Sequence, residues 1–335
     1  MLNPTVKDVA RDAGVSVGTV SRVLAKNETV NPAIRQRVEE VIERLGYRPN
    51  SLGRSLRLNK SDIIGLVIPD ITNPFFAELA KHLETLASAA GYSVLLANTH
   101  EDPKAERKQV QSLLGRAPAG IVIAPVSGSL VGEILPDGVV SVAIDRGLTG
   151  HSLVATDNFE GGRLAASHLL ELGHRRIGYI SGPSTTDVSI QRLNGFRGRI
   201  EETFSNQSQH VVELTVLEGN FDYKSGEAIG RQLLLGDIKQ RPTAIATAND
   251  QQAIGLLRAS RDLGIRVPED LSIVGFDDIP LASLVLPRLT TVRQPLEEMA
   301  EIAVRAVLRG GAIMGLVTLK PALVERDSTA APPAR

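Results

Sequence analysis

A chain of 335 residues, 42% hydrophobic and 22% charged, is long enough for two or three domains and has the balance of a soluble globular protein. It has no cysteine, which excludes disulfides, thiolate metal sites and cysteine nucleophiles, and no apolar run approaches the roughly 18 residues a bilayer-spanning helix needs. The net charge of −1 hides an asymmetry: residues 1–60 hold 11 Lys and Arg against 6 Asp and Glu, so a basic head precedes an acidic body. Such a head is suited to a polyanion, although a charge run can also be a plain solvated face.

The head divides into three helical stretches. Thr5 is placed to cap a first helix, with Asp8 near its positive end and Val6, Val9, Ala10 and Ala13 along one apolar stripe. Gly14 supplies a turn, and Ser16 caps a second helix from Val17 that buries Val20, Val23 and Leu24. Asn31 and Pro32 open a third, carrying Ile34, Val38, Val41, Ile42 and Leu45, and Gly46 ends it. Three short helices with a tight glycine turn between the first two form a helix-turn-helix unit, which presents the second helix to a DNA major groove. A bundle used only for packing leaves unexplained why that helix is so short and exposes Thr19, Ser21 and Arg22.

From residue 62 the pattern changes to short β-branched runs alternating with helical stretches. The runs lie at 63–68, 93–97, 120–124, 139–144, 177–181, 244–248 and 271–276. Continuous apolar runs of this kind predict parallel sheets covered on both faces, in two doubly wound halves. The residues that follow the runs are polar: Asn73, Asp145, Asn249 and Asp277 each stand just past a strand end, and the loop after 177–181 delivers Arg192. Ligands of open parallel sheets bind beyond those ends, so a cleft between the halves is the expected site. One such residue alone is more simply a helix cap; several around one rim weaken that reading.

The segments "TVKDVARDAGVSVGTVSRVL", "NPAIRQRVEEVIERLGYRPNSLGRSL", "IGLVIPDITNPFF", "GHRRIGYISGP", "PTAIATANDQQAIG", "LSIVGFDD" and "LTTVRQP" together resemble the lac repressor/galactose repressor family of bacterial transcription regulators. The resemblance runs through nearly the whole chain. It implies a helix-turn-helix headpiece at 1–46, a hinge at 47–60 and a two-lobed α/β core at 61–335, similar to periplasmic binding proteins. The first lobe is then about 61–160 plus 291–320, the second about 161–290, with three passages of the chain between them. Val17, Gly18 and Arg22 match base-reading positions, and Thr5, Ser16, Thr19, Ser21 and Asn27 suit phosphate contacts. Arg22 can fork onto a guanine edge, for about 1–3 kcal/mol of discrimination, whereas Gly18 brings no side chain to its base pair. In the hinge, Asn50 can cap a short helix and Leu56 matches a residue that wedges into the minor groove, a linker residue packed on the head being the lesser alternative. Gly53 stands where the family usually has alanine, which makes that helix harder to form. In the core, Asn73, Phe75, Asp145, Arg192, Phe221, Asn249 and Asp277 match effector-binding positions, with Phe221 either a stacking platform or plain core.

Two carboxylates, a guanidinium, amides and an aromatic face suit a sugar or sugar-like polyol better than a nucleobase, which would favour a further basic residue near Thr186. The expectation is therefore a homodimeric repressor in the bacterial cytoplasm, on the nucleoid when DNA-bound, reading a near-palindromic operator under control of a small effector. No cofactor or metal is expected, since the six histidines (82, 100, 151, 168, 174 and 210) show no ligand spacing. A secreted binding protein is disfavoured by the charged N-terminal stretch, and an enzyme by the absence of Walker, GxGxxG, HExxH and GxSxG patterns. His174 reads as a helix-to-strand turn. The final residues, "VERDSTAAPPAR", carry no coiled-coil heptads and are expected to be disordered at their end.

Overall fold

The computed structural model describes residues 4–24, 27, 29–47, 61–126, 128–206, 211–237, 240–310 and 315–334. The chain separates into two compact units, 1–61 and 62–335. The hinge assigned to 47–60, with Asn50 and Leu56, lies outside the described residues apart from Tyr47.

In the first unit, helices α1 (Val6–Ala13), α2 (Val17–Leu24) and α3 (Pro32–Leu45) close around Val9, Ala10, Ala13, Val20, Val23, Val30, Val38 and Val41. Each fully buried valine is worth about 1.5–3 kcal/mol, so three short helices that are individually marginal hold one another. Their ends are specified by side chains. Thr5 and Asp8 form a reciprocal capping box, the Asp8 amide donating to Thr5 Oγ1 at 3.4 Å and the Thr5 amide to Asp8 Oδ2 at 2.9 Å. Gly14, at φ +63°, ends α1 in the left-handed conformation that makes the tight turn possible. Ser16 Oγ then accepts from the Thr19 amide at 3.1 Å and starts α2. The Arg44 guanidinium reaches Asp12 at 3.4 Å, tying α3 to α1.

The second unit contains two six-stranded sheets. In the first lobe the strands are β1 (Ile63–Ile68), β2 (Ser93–Asn98), β3 (Gly120–Ile123), β4 (Val140–Ile144), β5 (Ser152–Thr156) and β11 (Leu316–Leu319), in the order β11-β5-β4-β3-β1-β2, all parallel. Leu66 and Ile68 turn to one face, against Phe76, Leu79 and Leu83 of α4 (Pro74–Ala89) and Met299, Ala303 and Val307 of α10 (Leu296–Leu308). Val67, Ile121 and Ile123 turn to the other, against Val110 and Leu113 of α5 (Pro103–Leu114). Both faces are thus covered, which is why these runs read as continuously apolar.

The second lobe repeats the plan with β6 (Arg176–Ser181), β7 (Glu213–Glu218), β8 (Ala244–Thr247), β9 (Ser272–Asp277), β10 (Thr290–Arg293) and β12 (Ala322–Val324), ordered β12-β10-β9-β8-β6-β7. Only β12 runs antiparallel. Its helices are α6 (Asn158–Glu171), α7 (Asp187–Asn206), α8 (Tyr223–Leu234) and α9 (Asp250–Asp262). Two glycines let α6 and α7 meet backbone to backbone: a Cβ on Gly162 would stand 2.1 Å from the Arg192 carbonyl oxygen, and one on Gly195 1.9 Å from that of Phe159. The chain passes between lobes after β5, at Gln294-Pro295, and after β11. Thr290–Arg293 therefore pairs with β9 in the second sheet, so the middle passage falls later than the boundary at 291 read from the sequence.

The tail is anchored through Ala330, contrary to the expectation of a loose end. Ser328 Oγ donates to the Ile273 carbonyl at 2.6 Å and accepts from the Thr290 amide at 2.8 Å. His174, fully buried, bridges this tail to the sheet: Nε2 lies 2.9 Å from the Ala330 carbonyl and Nδ1 2.9 Å from Thr243 Oγ1. The carbonyl can only accept, so Nε2 carries a proton. Burial holds its pKa at about 4, well below the usual value. The unfolded chain takes up that proton first, so this group's stabilisation is complete above about pH 6.5 and is lost as pH falls toward 4. Chemical unfolding at pH 7 and pH 4.5 should show His174→Asn with a smaller acid-induced loss than the wild type; equal losses would contradict the assignment.

Candidate functional site

The polar strand ends of the second unit converge on one cavity. Asn73 follows β1 and caps α4, accepting from the Phe75 amide at 3.1 Å. Phe75 and Phe76 are both buried and meet edge to face at 5.0 Å, forming an apolar wall from the first lobe. Asp145 follows β4 at φ +65°, a left-handed conformation that costs a non-glycine residue energy and recurs at binding sites. Its neighbour Arg146 is held by a fork onto Glu101, with both nitrogen–oxygen distances 3.0 Å.

The second lobe contributes a buried guanidinium. Arg192 Nε donates to Asn158 Oδ1 at 2.7 Å and Nη1 to the Ala248 carbonyl at 2.7 Å, while Asp277 Oδ1 lies 3.4 Å from Nη1. The guanidinium carbon stands 3.8 Å from the centre of the Phe276 ring, a cation–π stack. Asn249 caps α9 and donates to the Phe221 carbonyl at 3.3 Å, so one residue both starts a helix and steadies the aromatic loop. The Phe221 ring lies over Gly182, where a Cβ would come within 2.4 Å of it; no other residue admits the ring there. Gln252 fastens the surrounding loops, accepting from the Ala248 amide and donating to the Ser181 and Asn220 carbonyls at 2.9 and 2.8 Å.

The structure brings Asn73, Phe75, Asp145, Arg192, Phe221, Asn249 and Asp277 together as walls of this cavity, joined by Phe76, Arg146 and Val188. The space between them is only about 20 Å³, room for roughly one water, so the lobes must part before a sugar-sized ligand enters. Among the described residues, Asp145 Oδ1, Arg146 Nε and Gln294 Oε1 are buried without a hydrogen-bond partner. Such atoms are costly unless something pairs with them, and here they offer two acceptors and one donor. Arg146, Phe276, Gln294 and Asn158 escaped the sequence reading. Arg146 directly follows the strand-end Asp145, which was a usable signal for it; nothing local marks Gln294. No cluster of three metal-ligating side chains occurs among the described residues.

Electrostatics sharpen the site. Burial pushes Asp145 above the ordinary carboxylate range, and Asp277 up to about 7 despite the Arg192 guanidinium beside it. Asp250, the first residue of α9, is raised as well by burial and by Asp277; its two oxygens accept from the Thr291 hydroxyl and the Ile279 amide.

On the first unit, the exposed face of α2 presents Gly18 and Arg22, with Val17, Thr19 and Ser21 half-buried beside them. Ser16 and Thr19 hydroxyls lie 3.0 Å apart at its N-terminus, and Arg22 Nε donates back to the Gly18 carbonyl at 3.3 Å. Thr5 is exposed in its capping box, and Asn27 accepts from the Thr29 amide at 2.9 Å. The geometry is a short, rigid helix with an exposed arginine on a basic unit.

A helix-turn-helix unit ahead of a two-lobed, cleft-bearing α/β body defines a ligand-responsive DNA-binding regulator. Residues 5–50 match the model for bacterial regulatory proteins of the lacI family, and residues 166–329 that for a periplasmic binding protein-like domain. The ribose operon repressor of Halalkalibacterium halodurans is 39% identical over 91% of this chain and 89% of its own length. The lac repressor dimer bound to operator and the anti-inducer ONPF superposes with a TM-score of 0.87 at 29% identity, over 98% of this chain and 100% of that one. A LacI family regulator from Enterococcus faecium, solved with bound ribose, gives a TM-score of 0.70 at 28% identity over 80% of this chain and 99% of its own. The chain belongs to the LacI family of transcriptional regulators. No helix among the described residues is long and apolar enough to cross a membrane.

Asp277 yields a test of the site's electrostatics. The folded state keeps a proton on this carboxyl up to about pH 7, while the unfolded chain loses it near 3.8, so its contribution to stability falls as pH rises through that window. Asp277→Asn, neutral throughout, should therefore gain stability relative to the wild type between pH 5 and pH 8. Denaturant titrations showing the opposite trend would contradict the charge assignment.

Proposed function

We propose that this protein is a homodimeric repressor whose grip on a near-palindromic operator is set by a pentose, D-ribose being the first candidate, bound between the two lobes of the core. The observation that carries the reading is the set of buried atoms without a hydrogen-bond partner, Asp145 Oδ1, Arg146 Nε and Gln294 Oε1, beside a fixed guanidinium and apolar walls from Phe75, Phe76 and Phe221. Ring hydroxyls can donate to the carboxylate and amide oxygens and accept from the guanidinium, while a sugar's C–H faces rest on aromatic rings. Asn73, Asp145, Arg192, Asn249 and Asp277 are the contact residues in this account, with Phe221 as a platform. The named relative represses a ribose operon and the Enterococcus regulator holds ribose, which supports a pentose over a larger ligand.

The groups recognise a polyol and leave it chemically unchanged, so no turnover is expected. In the head, Arg22 and Val17 read bases, Gly18 leaves its base pair unread, and Thr5, Ser16, Thr19, Ser21 and Asn27 hold phosphates. Leu56, on a hinge helix capped by Asn50, wedges into the minor groove. Leu95, Leu96, Leu281, Leu284 and Leu286 are exposed, and Leu286 is 91% so; a second copy of the chain is the partner proposed to cover them. The site of action is the chromosome in the cytoplasm.

Thermal-shift and calorimetric screening of the full chain against D-ribose, D-glucose and adenine tests the ligand. Ribose at about 100 times its Kd should stabilise by about 2.7 kcal/mol, and Asp145→Asn should remove most of that gain. No stabilisation by any pentose would overturn the ligand assignment. For the head, a duplex selected from a random library should bind Arg22→Ala about 5- to 150-fold more weakly, the equivalent of about 1–3 kcal/mol; unchanged affinity would remove Arg22 from base reading.

A further inference from the structure

A second, larger cavity of about 170 Å³ lies beside the sugar site. Its first-lobe wall is Pro125, Val126, Gly128 and Ser129 together with the stretch 146–149 after β4; its second-lobe wall is Thr185, Thr186 and Asp187 at the start of α7. Arg146 lines both cavities, and Asp187 of the larger directly precedes Val188 of the smaller, so the two are compartments of one space. The Arg146 side chain is only 8% exposed, and its Nε has no hydrogen-bond partner, though Asp145 Oδ2 lies 3.7 Å away.

The chemistry of the outer compartment is distinct from that of the inner one. Hydroxyls of Ser129, Thr149, Thr185 and Thr186 line it, interspersed with Val126 and Leu148. The Arg146 charge is already matched by Glu101 through two hydrogen bonds. Asp187 adds an acid to the wall, and buried Glu106 stands behind Ser129, accepting from its hydroxyl and from the Val126 amide. No unmatched cation faces the chamber among the described residues that line it, and Asp187 does, so an anionic group would meet net repulsion in a partly desolvated space.

We propose that this compartment is a second subsite, built for an uncharged, hydroxylated substituent on the sugar ring. The effectors then extend from the free pentose to neutral pentosides and exclude phosphorylated pentoses. A ring held against Asp145 and Arg192 projects such a group past Arg146 into room for several further heavy atoms. The inference rests on the pentose reading of the inner cavity.

Calorimetry on the full-length chain decides it, with four probes: D-ribose, ribose carrying a 2-hydroxyethyl group on O1, the same group on O5, and ribose 5-phosphate. At least one hydroxyethyl derivative should bind no more than about threefold more weakly than D-ribose, and the phosphate more than about 100-fold more weakly. Thr149→Trp, at an exposed rim position, should fill the chamber and weaken that derivative by at least about tenfold while leaving D-ribose unchanged. Binding of D-ribose with both derivatives weaker than threefold, tight binding of the phosphate, or an equal loss for both ligands in Thr149→Trp would overturn the second subsite alone. Failure of all four probes to bind would overturn the pentose reading and this inference with it.

Discussion

The core depends on a positive charge taken out of water. Arg192 is 3% exposed, and a guanidinium in that setting is tolerable only when its donors are met and its face is covered. Asn158, the Ala248 carbonyl and Asp277 meet the donors, and Phe276 covers the face. Those partners come from the start of α6, the end of β8 and the end of β9, three separate strand-end loops brought to one point. The close backbone approach at Gly162 and Gly195 sets α7 deep enough for Arg192 to reach them. Asp277 in turn accepts from Gln294 at 2.7 Å, on the passage where the chain leaves for the first lobe. A ligand that changes the hydrogen bonds of Asp277 therefore acts on a connector between lobes as well as on a cavity wall. That gives a bound sugar different energies in different lobe arrangements, the requirement for it to shift an equilibrium between them.

Much of this was legible before any coordinates. The helix ends of the head are written in Thr5, Gly14, Ser16, Asn31 and Gly46, because caps and left-handed turns are local chemistry. Seven of the twelve described strands announced themselves as apolar runs, six of them because both faces are largely covered; the seventh, β2, is an edge strand that leaves Leu95 and Leu96 exposed. The others did not, for physical reasons. Glu213–Glu218 alternates with charge at a sheet edge, and Leu316–Leu319 and Ala322–Val324 are short edge strands. Ser152–Thr156 begins half-buried and ends at a lobe passage. Thr290–Arg293 is short and starts with two threonines, and its place beside β9 is a matter of non-local pairing.

The site divides in the same way. Asn73, Asp145, Asn249 and Asp277 could be named from their position just past a strand end and Arg192 from the loop after β6, whereas Phe75 and Phe221 came from the family resemblance alone; these side chains line one cavity. Gln294 could not, because its role comes from a passage between lobes distant in sequence from the strands it serves. Arg146 was hidden by the left-handed turn at Asp145, which redirects the next side chain inward. The anchored tail was missed because its bonds run to His168, His174 and Ser272, more than 50 residues away in sequence. Composition there suggests disorder; long-range hydrogen bonding overrides it.

The account's central claim is that sugar held around Arg192 is felt at the DNA. The direct measurement is anisotropy titration of a labelled operator duplex with full-length wild type and Arg192→Gln, each with and without saturating D-ribose at fixed salt. The account predicts that ribose moves the wild-type operator Kd by at least about tenfold, and that Arg192→Gln keeps the sugar-free affinity but loses the ribose response. An operator affinity indifferent to ribose in the wild type, or a response of equal size in Arg192→Gln, would contradict it.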